Sequence, residues 1–508
     1  MNDSYDFVVV GAGSSGCALT RRLSDDPNVT VALVEAGGQP DRPEIAAPSD
    51  YYKLWGSEID WNYRSLPEAG TAGRRHQLPR GRVLGGTSAL NGMVYLRGDR
   101  ADFDGWAREG CIGWDWESVL ASYDELESQL LFPRIVTEPN ELSEVFLIAA
   151  HEVGFRLNPS FDDGDIEGCG WNRLSIHQGR RHSSYRAFIE PVLGRPNLTV
   201  LSGTSAERLA ISASGAVTGL DVVNGTGLRR SITAGEVIVS AGAYDTPRLL
   251  MMSGLGPADN LREHDIVPVV DLPVGDNLQD HLLVGVVYES LRPIDPRHAH
   301  ITESCAFARS SADEVSPDIE ISFNKESHFA PPVDDGVPRF TIIPGITRLK
   351  SRGTVRLAPQ GSTDRLEIHH GYFAAAEDMA VMVEAVRRSR LIGEAPAFKD
   401  WSTGEYFPGP AVESDEQIAR YVADHVSTWF HPAGTCRMGT GDDAVVGPDL
   451  RVRGTTGLRV ADASVMPTVV TVNTNAASMM IGWNAASLAL GQRPTQHLAG
   501  SEASEGST

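Results

Sequence analysis

The chain has 508 residues, of which 41% are hydrophobic, and a formal net charge of −23. This length predicts two or more units that share a large core. The acidic balance makes nucleic acid and anionic lipid poor partners, and five scattered cysteines without a CxxC spacing favour neither a disulfide framework nor a zinc cluster.

The chain shows no sign of export or of a membrane span. It begins MNDSYDFVVVGAG, without a basic leader or an apolar secretory core, and no apolar run approaches ~20 residues. No His/Asp/Glu cluster has the spacing of metal ligands. We therefore expect a soluble, cytoplasmic protein without a metal site.

The first segment is typical of a strand, glycine turn, helix and strand in succession. An apolar strand is predicted at 5–10 and the turn GAGSSG comes directly after it at 11–16. Helical apolar spacing comes next, and a second strand is predicted at 29–37. This order predicts a Rossmann-type start.

Each glycine of the turn has a predicted task. Gly11 permits the tight turn, Gly13 lets the backbone approach a pyrophosphate, and Gly16 allows close helix packing. Glu35, at the end of the second strand, can accept from ribose hydroxyls and would repel a 2′-phosphate. FAD and NAD both remain open at this point, and a glycine-rich turn without a ligand is the alternative.

The rest of the chain alternates loops, strands and helices. Long loops are expected at 39–88, and the segment 81–98 is predicted to be a glycine-rich loop leading into an apolar helix start. Further predictions are helices at 116–129, 377–392 and 475–490, strands at 197–211, 236–243, 318–324, 340–347 and 458–464, and a disordered tail at 496–508. Nucleotide-type elements thus occur at the start, middle and end, which predicts a discontinuous cofactor domain with an inserted substrate domain.

Four segments resemble the motifs of one enzyme family. They are GRVLGGTSALNGMVYLRG (81–98), GAYDTPRLLMMSGLG (242–256), HPAGTCRMG (431–439) and GLRVADASVMPTVVTVNTNAASMMIG (457–482). Together they resemble the glucose-methanol-choline (GMC) family of FAD oxidoreductases, from about residue 5 to residue 490. Within that family the chain is most similar to the bacterial branch of choline dehydrogenases, pyridoxine 4-oxidase and hydroxymethylfurfural oxidases.

The resemblance implies a mixed α/β fold in two parts. A Rossmann-like FAD-binding domain, discontinuous in sequence, is expected at 1–155, 195–275 and 430–495. A substrate-binding domain built on an antiparallel sheet is expected at 156–194 and 276–429.

The resemblance also implies the residues that hold FAD. The ADP half is expected at Gly11, Gly13, Ser14, Ser15, Gly16, Glu35 and Ala36, with Ala206 at the adenine and Ala241 beside the phosphate loop. The isoalloxazine is expected along Val83, Gly86, Asn91, Gly92 and Val94, and the pyrophosphate side and pyrimidine edge at Asp462, Ala463, Thr474 and Asn475. Some members link flavin covalently through a histidine where this chain has Leu90, so non-covalent FAD is predicted.

An alcohol releases hydride only as its hydroxyl proton is removed, so the chemistry needs a base and a second polar group. His431, in WFHPAGTCRMG, matches the family histidine and is the predicted base, against the alternative of a structural histidine. Asn473 is favoured over Asn475 as its partner, because it falls on the family position. Asn475 is predicted to be a helix cap, whose helix start could direct its positive end at the flavin.

Other polar residues keep two interpretations. His369 or His370 could line the substrate pocket or lie on the surface, Glu320 could point into the cavity or into solvent, and Trp429 could wall the pocket or belong to the core. The predicted reaction is oxidation of a primary alcohol, with an aryl or heteroaryl methanol as the narrower guess. A non-redox lyase of the hydroxynitrile type is the alternative, and an NAD dehydrogenase is a third. The acceptor, oxygen or a quinone, and the oligomeric state stay open.

Overall fold

The computed structural model describes residues 3–492, apart from 296–301, 330, 332–334 and 363. The tail predicted to be disordered at 496–508 lies outside the described residues. In the part of the chain that the structure covers, no helix is long and apolar enough to cross a membrane.

The first sheet is a mainly parallel sheet of the nucleotide-binding type. Five of its strands pair in parallel, and two further strands that pair antiparallel extend one edge. In spatial order the strands are Leu198–Leu201, Val31–Val34, Ser4–Val10, Arg229–Val239, Val217–Asn224 and Thr204–Ile211, and Leu458–Val460 pairs in parallel with Arg229–Val239. The apolar runs of the central strands are buried in the first core, where the helix Ser14–Leu23 packs on Ser4–Val10 and Val31–Val34.

The second sheet is antiparallel throughout. Its order is Ser402–Phe407, Val286–Ser290, Arg339–Ile346, Ile319–Asn324, Ser304–Ala308 and Gly168–Trp171, and Leu282–Leu283 pairs with both Arg339–Ile346 and Ser427–Thr428. The helices Ala376–Gly393 and Glu141–Glu152 pack against this sheet and close a second apolar core. Because successive side chains of a strand point to opposite faces of the sheet, every second side chain lies on the face away from these two helices.

The helices and small ladders complete the architecture. The α-helices are Ser14–Leu23, Pro43–Ala46, Arg100–Arg108, Trp116–Leu126, Glu141–Glu152, Gly242–Met252, Ala258–Glu263, Ala376–Gly393, Asp415–His425 and Thr474–Ala489. Two-stranded ladders join Tyr63–Arg64 with Gln77–Leu78, Ile176–His177 with Arg180–Arg181, Leu255–Gly256 with Val270–Asp271, and Thr354–Leu357 with Leu366–His369.

Three element predictions need correction. The segment 81–98 does not lead into an α-helix: it forms only the 3₁₀ turn Gly86–Ala89, because Gly85, Gly86 and Met93 have positive φ. The helix predicted at 116–129 ends at Leu126 and continues as the π-helical turn Glu127–Leu131. The strands predicted at 236–243 and 458–464 end at Val239 and Val460, and the chain then forms the helix Gly242–Met252 and the 3₁₀ turn Ala463–Val465, respectively.

The two sheets draw on interleaved parts of the chain, as a discontinuous nucleotide-binding unit requires. Two elements pack across the predicted division. The helix Glu141–Glu152, expected with the first unit, packs on the antiparallel sheet, and the hairpin Thr354–Leu357/Leu366–His369 packs on the helix Gly242–Met252 of the first core.

Candidate active site

A cavity of about 590 Å³ runs from the glycine turn of the first sheet to His431 and on to the antiparallel sheet. Its size falls within the range of small-molecule and cofactor sites. Residues from both sheets and from the helix Thr474–Ala489 line it, so the site forms where the two parts of the fold meet.

The glycine turn has two packed positions and one open position. A Cβ on Gly11, whose φ is +102°, would lie 2.4 Å from the Ser240 carbonyl oxygen, and one on Gly16 would lie 1.9 Å from the Gly11 carbonyl oxygen. A Cβ on Gly13 would meet nothing within 4 Å. Gly11 and Gly16 therefore allow close packing, whereas Gly13 leaves space on the cavity side.

The helix Ser14–Leu23 starts at this open position. Its N-cap, Gly13, provides no side-chain cap, and Ser14 and Ser15 line the cavity. Uncapped N–H groups and the positive end of the helix dipole attract an anion, so this end of the cavity fits a pyrophosphate.

Glu35 is held at the end of its strand by the backbone. Its Oε2 accepts from the Ala12 N–H and its Oε1 from the Gly37 N–H, each at 2.8 Å. Burial raises the pKa of Glu35 to about 7. Each oxygen retains a second lone pair, so the carboxylate can still accept from hydroxyl groups in the cavity.

Asp462 joins two structural elements of the same wall. Its Oδ2 accepts from the Gly242 N–H at 2.8 Å and from the Thr246 hydroxyl at 2.6 Å, and its Oδ1 accepts from the Ser464 N–H at 2.8 Å. Burial raises the pKa of Asp462. The carboxyl thus accepts hydrogen bonds at the start of the helix Gly242–Met252, and Asp462 is among the residues that line the cavity.

The prediction that Asn475 caps the last helix is wrong. The helix begins at Thr474 with Asn473 in the N-cap position, and the Asn473 side chain makes no capping bond. Asn475 instead accepts a hydrogen bond from the Ser14 hydroxyl at 2.6 Å, and a Cβ on Gly482 would lie 2.2 Å from the Ser15 carbonyl oxygen. Two helix N-termini are therefore fixed side by side at the cavity.

The structure brings most of the predicted cofactor residues to one surface. Gly16 and Val83 are the exceptions: Gly16 supports the turn from behind, and Val83 is fully buried in a small apolar cluster. The predicted residues that line the cavity are Gly11, Gly13, Ser14, Ser15, Glu35, Ala36, Gly86, Asn91, Gly92, Val94, Ala206, Ala241, Asp462, Ala463, Thr474 and Asn475.

The two predicted catalytic residues meet at the middle of the cavity. The Nδ2 of Asn473 lies 3.1 Å from Nε2 of His431. An amide nitrogen can only donate, so Nε2 accepts and carries no proton. In neutral His431 the proton is then on Nδ1. The second amide atom, Asn473 Oδ1, is buried without a hydrogen-bond partner.

A second histidine, His281, fixes the His431 ring and was not predicted. The two Nδ1 atoms are 2.9 Å apart, and the rings are perpendicular at 5.0 Å between centroids. Burial lowers the pKa of His281 to about 3 and holds the pKa of His431 well below its usual value, with neighbouring His281 and Arg80 adding to the effect at His431. Both rings are neutral, and His431 Nδ1–H donates to His281 Nδ1.

Buried Asp280 holds the backbone of both histidines. Its Oδ1 accepts from the N–H of His281 at 2.9 Å and from the N–H of His431 at 2.8 Å, and its Oδ2 accepts from the hydroxyls of Tyr372 and Thr428. The signal in the sequence was the pair Asp280–His281 directly before a buried strand, but it gave no indication of its partner 150 residues later.

The structure also decides whether His369, His370, Glu320 and Trp429 line the cavity. His370 is buried against Tyr372 and bonded to the Tyr244 hydroxyl at 3.0 Å, and His369 is half-exposed with Nδ1 3.2 Å from a Glu68 oxygen; neither lines the cavity. Glu320 and Trp429 do line it, and Glu320 is buried rather than solvent-facing.

A Rossmann-type sheet, an antiparallel sheet and a neutral imidazole–amide pair on one long cavity define a dinucleotide-dependent oxidoreductase. The residues fit a dinucleotide on structural grounds: open space at Gly13, uncapped helix starts, and an unpartnered amide oxygen at Asn473. Among the described side chains, no group of three or more His, Cys, Asp or Glu residues could hold a metal ion.

Comparison with known proteins identifies the family. The sequence matches the GMC oxidoreductase family over residues 5–283 and 350–482. It is 35% identical to an oxygen-dependent choline dehydrogenase of Brucella ovis, covering 96% of each chain, and 37% identical to choline oxidase of Arthrobacter globiformis, covering 95% of this chain and 94% of the relative. The structure matches pyridoxine 4-oxidase from Mesorbium loti with a TM-score of 0.90 at 34% identity, over 95% and 98% of the two chains.

The chain therefore belongs to the GMC oxidoreductase family. It is an FAD-dependent enzyme that oxidises alcohols, and the resemblance predicted from its four motifs is confirmed.

Proposed function

We propose that this enzyme oxidises a primary alcohol to the aldehyde, with His431 as the general base and Asn473 as the group that holds the alcohol oxygen. The observation that carries this proposal is the 3.1 Å contact between Asn473 Nδ2 and the unprotonated His431 Nε2 in the cavity. A basic lone pair and an amide donor at one point match the two needs of an alcohol about to lose hydride.

FAD, when bound along the glycine turn and the helix starts, supplies the hydride acceptor. His431 Nε2 takes the hydroxyl proton, and Asn473 Nδ2 donates to the oxygen as its negative charge develops. His281 accepts from His431 Nδ1–H, which keeps Nε2 unprotonated, and the substrate hydroxyl replaces Asn473 Nδ2 as the donor to that lone pair. Because the site is buried, the resulting imidazolium and alkoxide stabilise each other more strongly than they would in water.

We propose that the uncapped start of the helix Ser14–Leu23 binds the pyrophosphate, and that the carboxylate of Glu35 binds the ribose. The remaining cavity-lining residues that were predicted from the resemblance complete the FAD site. The supporting observations are the open space at Gly13, the two free lone pairs of Glu35 and the fixed backbone around Asp462.

We propose that FAD is held without a covalent bond. Leu90 lines the cavity at the position of the linking histidine of some family members, and its side chain has no nucleophile. Acid precipitation of the purified protein should release the yellow colour into the supernatant. Colour that stays in the pellet would contradict this.

We propose a domain division that follows the two sheets. The FAD-binding domain comprises most of 1–155, 195–275 and 430–495, and the substrate-binding domain comprises 156–194 and 276–429, with the helix Glu141–Glu152 now added to the second because it packs on the antiparallel sheet. A cytoplasmic location is supported by the five buried, unpaired cysteines. Oxygen or a quinone would reoxidise the flavin.

Anaerobic mixing with a panel of primary alcohols tests the proposed reaction. We expect aryl and heteroaryl methanols to bleach the visible flavin absorbance and to yield one equivalent of aldehyde. A protein that retains its colour with every alcohol, while it cleaves a cyanohydrin, would be a lyase on the same scaffold and would refute the proposal.

A further inference from the structure

One strand of the antiparallel sheet presents a row of polar side chains to the cavity. In Ile319–Asn324, the apolar residues Ile319, Ile321 and Phe323 pack into the core under the helix Ala376–Gly393. The alternate residues, Glu320, Ser322 and Asn324, line the cavity. Period-two alternation thus places a carboxyl, a hydroxyl and an amide on the wall of the substrate side.

One oxygen of the Glu320 carboxyl lacks a hydrogen-bond partner. Its Oε1 accepts from the Ser322 hydroxyl at 2.9 Å, but its Oε2 is buried without a hydrogen-bond partner. The residue is only 3% exposed, and none of the described cationic side chains forms an ion pair with it. Burial raises the pKa of Glu320 to about 7.

A buried carboxyl oxygen without a partner costs folding free energy that an apolar side chain would not. Such a group in a cavity is a candidate for ligand recognition. The missing partner must be a hydrogen-bond donor, because Oε2 can only accept when the group is ionised.

Trp429 connects the strand that carries Glu320 with the segment that carries His431. Glu320 pairs across the sheet with Gly345, and a Cβ on Gly345 would lie 2.2 Å from Cζ3 of Trp429. The indole therefore packs directly on the backbone beside Glu320. Trp429 stands two residues before His431, and all three line the same cavity.

Aromatic side chains also line this cavity. They are Tyr51, Tyr52, Trp55, Trp61, Tyr244, Phe329, Trp429 and Phe430. Their flat faces suit an aromatic ring, and they also stabilise a cation.

We propose that Glu320 selects the substrate by binding a protonated, N–H-bearing nitrogen at the end of the alcohol remote from its hydroxyl. This inference rests on the proposed function of the same cavity. An ammonium or a pyridinium N–H supplies both the donor that Oε2 lacks and a compensating charge. A quaternary ammonium supplies charge without a donor, and a neutral aryl alcohol supplies neither.

The test compares two alcohols of similar shape on the FAD-loaded enzyme and on Glu320→Gln. At pH 8, anaerobic flavin reduction is measured with 4-(aminomethyl)benzyl alcohol and with 4-ethylbenzyl alcohol. We expect the ratio of kred/Kd for the amine over the neutral alcohol to fall roughly 10- to 100-fold in Glu320→Gln, the range for a charged hydrogen bond. Glu377→Gln makes the same substitution at an exposed site outside the cavity and should keep the wild-type ratio.

Several results would overturn the inference. The first is an unchanged ratio in Glu320→Gln, and the second is an equal loss of kred/Kd for both alcohols. The third is a loss of kred/Kd for the N,N,N-trimethyl analogue of the amine that equals the loss for the amine itself. FAD absorbance and Tm of each variant confirm that it is folded.

Failure of the proposed function itself would look different. In that case neither alcohol would reduce the flavin of the wild-type enzyme. The affinity for 4-methylbenzylamine, monitored by its perturbation of the flavin spectrum, still tests whether Glu320 binds the amine. Binding weakened about 10-fold or more in Glu320→Gln would support the role of the carboxyl, and equal binding in both proteins would refute it.

Discussion

Backbone forms most of the nucleotide end of the cavity, around the glycine turn, whereas side chains form the substrate end. At the first end, Gly11, Gly13 and the start of the helix Ser14–Leu23 present peptide groups and open space. At the second, His431, Asn473 and Glu320 present an imidazole, an amide and a carboxyl. A backbone wall serves any reaction that uses the same cofactor, whereas the side-chain wall decides which reaction occurs and on what molecule.

This contrast predicts that glycine substitutions at the nucleotide end act on folding and cofactor affinity. Gly16→Ala would place a methyl 1.9 Å from a backbone oxygen, and we expect a loss of about 3 kcal/mol or more in the free energy of unfolding. Thermal unfolding of the variant measures it.

Gly13→Ala is the matched change in open space. Its methyl would contact no protein atom within 4 Å, so the Tm of the apoprotein should stay near the wild-type value. The methyl would enter the cavity, and we expect FAD to bind roughly 10- to 100-fold more weakly, from an overlap of about 1–3 kcal/mol. Equal losses of Tm in both variants would remove the distinction between packed and open glycines.

At the substrate end, the largest expected effect belongs to His431→Ala. Without the Nε2 lone pair, the rate of flavin reduction should fall ~10²-fold or more, because general-base catalysis is lost. FAD content, read from the visible spectrum, should stay largely intact. Unchanged reduction kinetics would mean that another group removes the proton.

Asn473→Ala should have a smaller effect on the same step. The variant loses one donor to the developing alkoxide, and we expect the rate of flavin reduction to fall by about 10-fold to 10³-fold. Stopped-flow reduction measures it, and Asn475→Ala serves as the control, since Asn475 bonds to Ser14 rather than to His431. A larger loss for Asn475 than for Asn473 would reverse the assignment of the pair.

The pH dependence gives the smallest predicted effect. The pKa of Glu320 is raised to about 7, so its charge is present above pH 7 and is lost as the pH falls through that value. For an amine-bearing alcohol, kred/Kd should fall about 10-fold between pH 8 and pH 6. His431 has a pKa well below its usual value and stays neutral over this range.

For a neutral alcohol, kred/Kd should therefore stay constant between pH 8 and pH 6. In Glu320→Gln, kred/Kd for the amine-bearing alcohol should not fall as the pH is lowered. The nearby Cys305 thiol, whose pKa is raised, and His328, whose pKa is lowered, carry no charge that would replace it. An acid limb shared by both alcohols would assign the titration to another group.

The sequence predicted the backbone end well, because its geometry is set by local chemistry. GAGSSG between two apolar runs predicts the turn, the helix start and the two strands, and the structure has each of them. The prediction of a helix start within 81–98 failed because positive φ at Gly85, Gly86 and Met93 turns the chain away, a choice set by contacts with distant segments.

The substrate end was predictable only where a motif marks it. His431 and Asn473 were found from their segments, but His281 was not, since its partner lies 150 residues away and only the folded chain brings the two rings together. The same limit holds for Glu320, whose orientation depends on the register of Ile319–Asn324 within its sheet.

The proposed reaction depends most on the position of the histidine–amide pair relative to the bound cofactor. A crystal structure of the enzyme with FAD and benzylamine tests it directly. We predict that the pyrophosphate lies at Gly13 and Ser14, and that His431 Nε2 and Asn473 Nδ2 both point at the reactive edge of the isoalloxazine. An isoalloxazine seated away from His431, or a ligand held beyond the reach of both side chains, would contradict the proposed reaction.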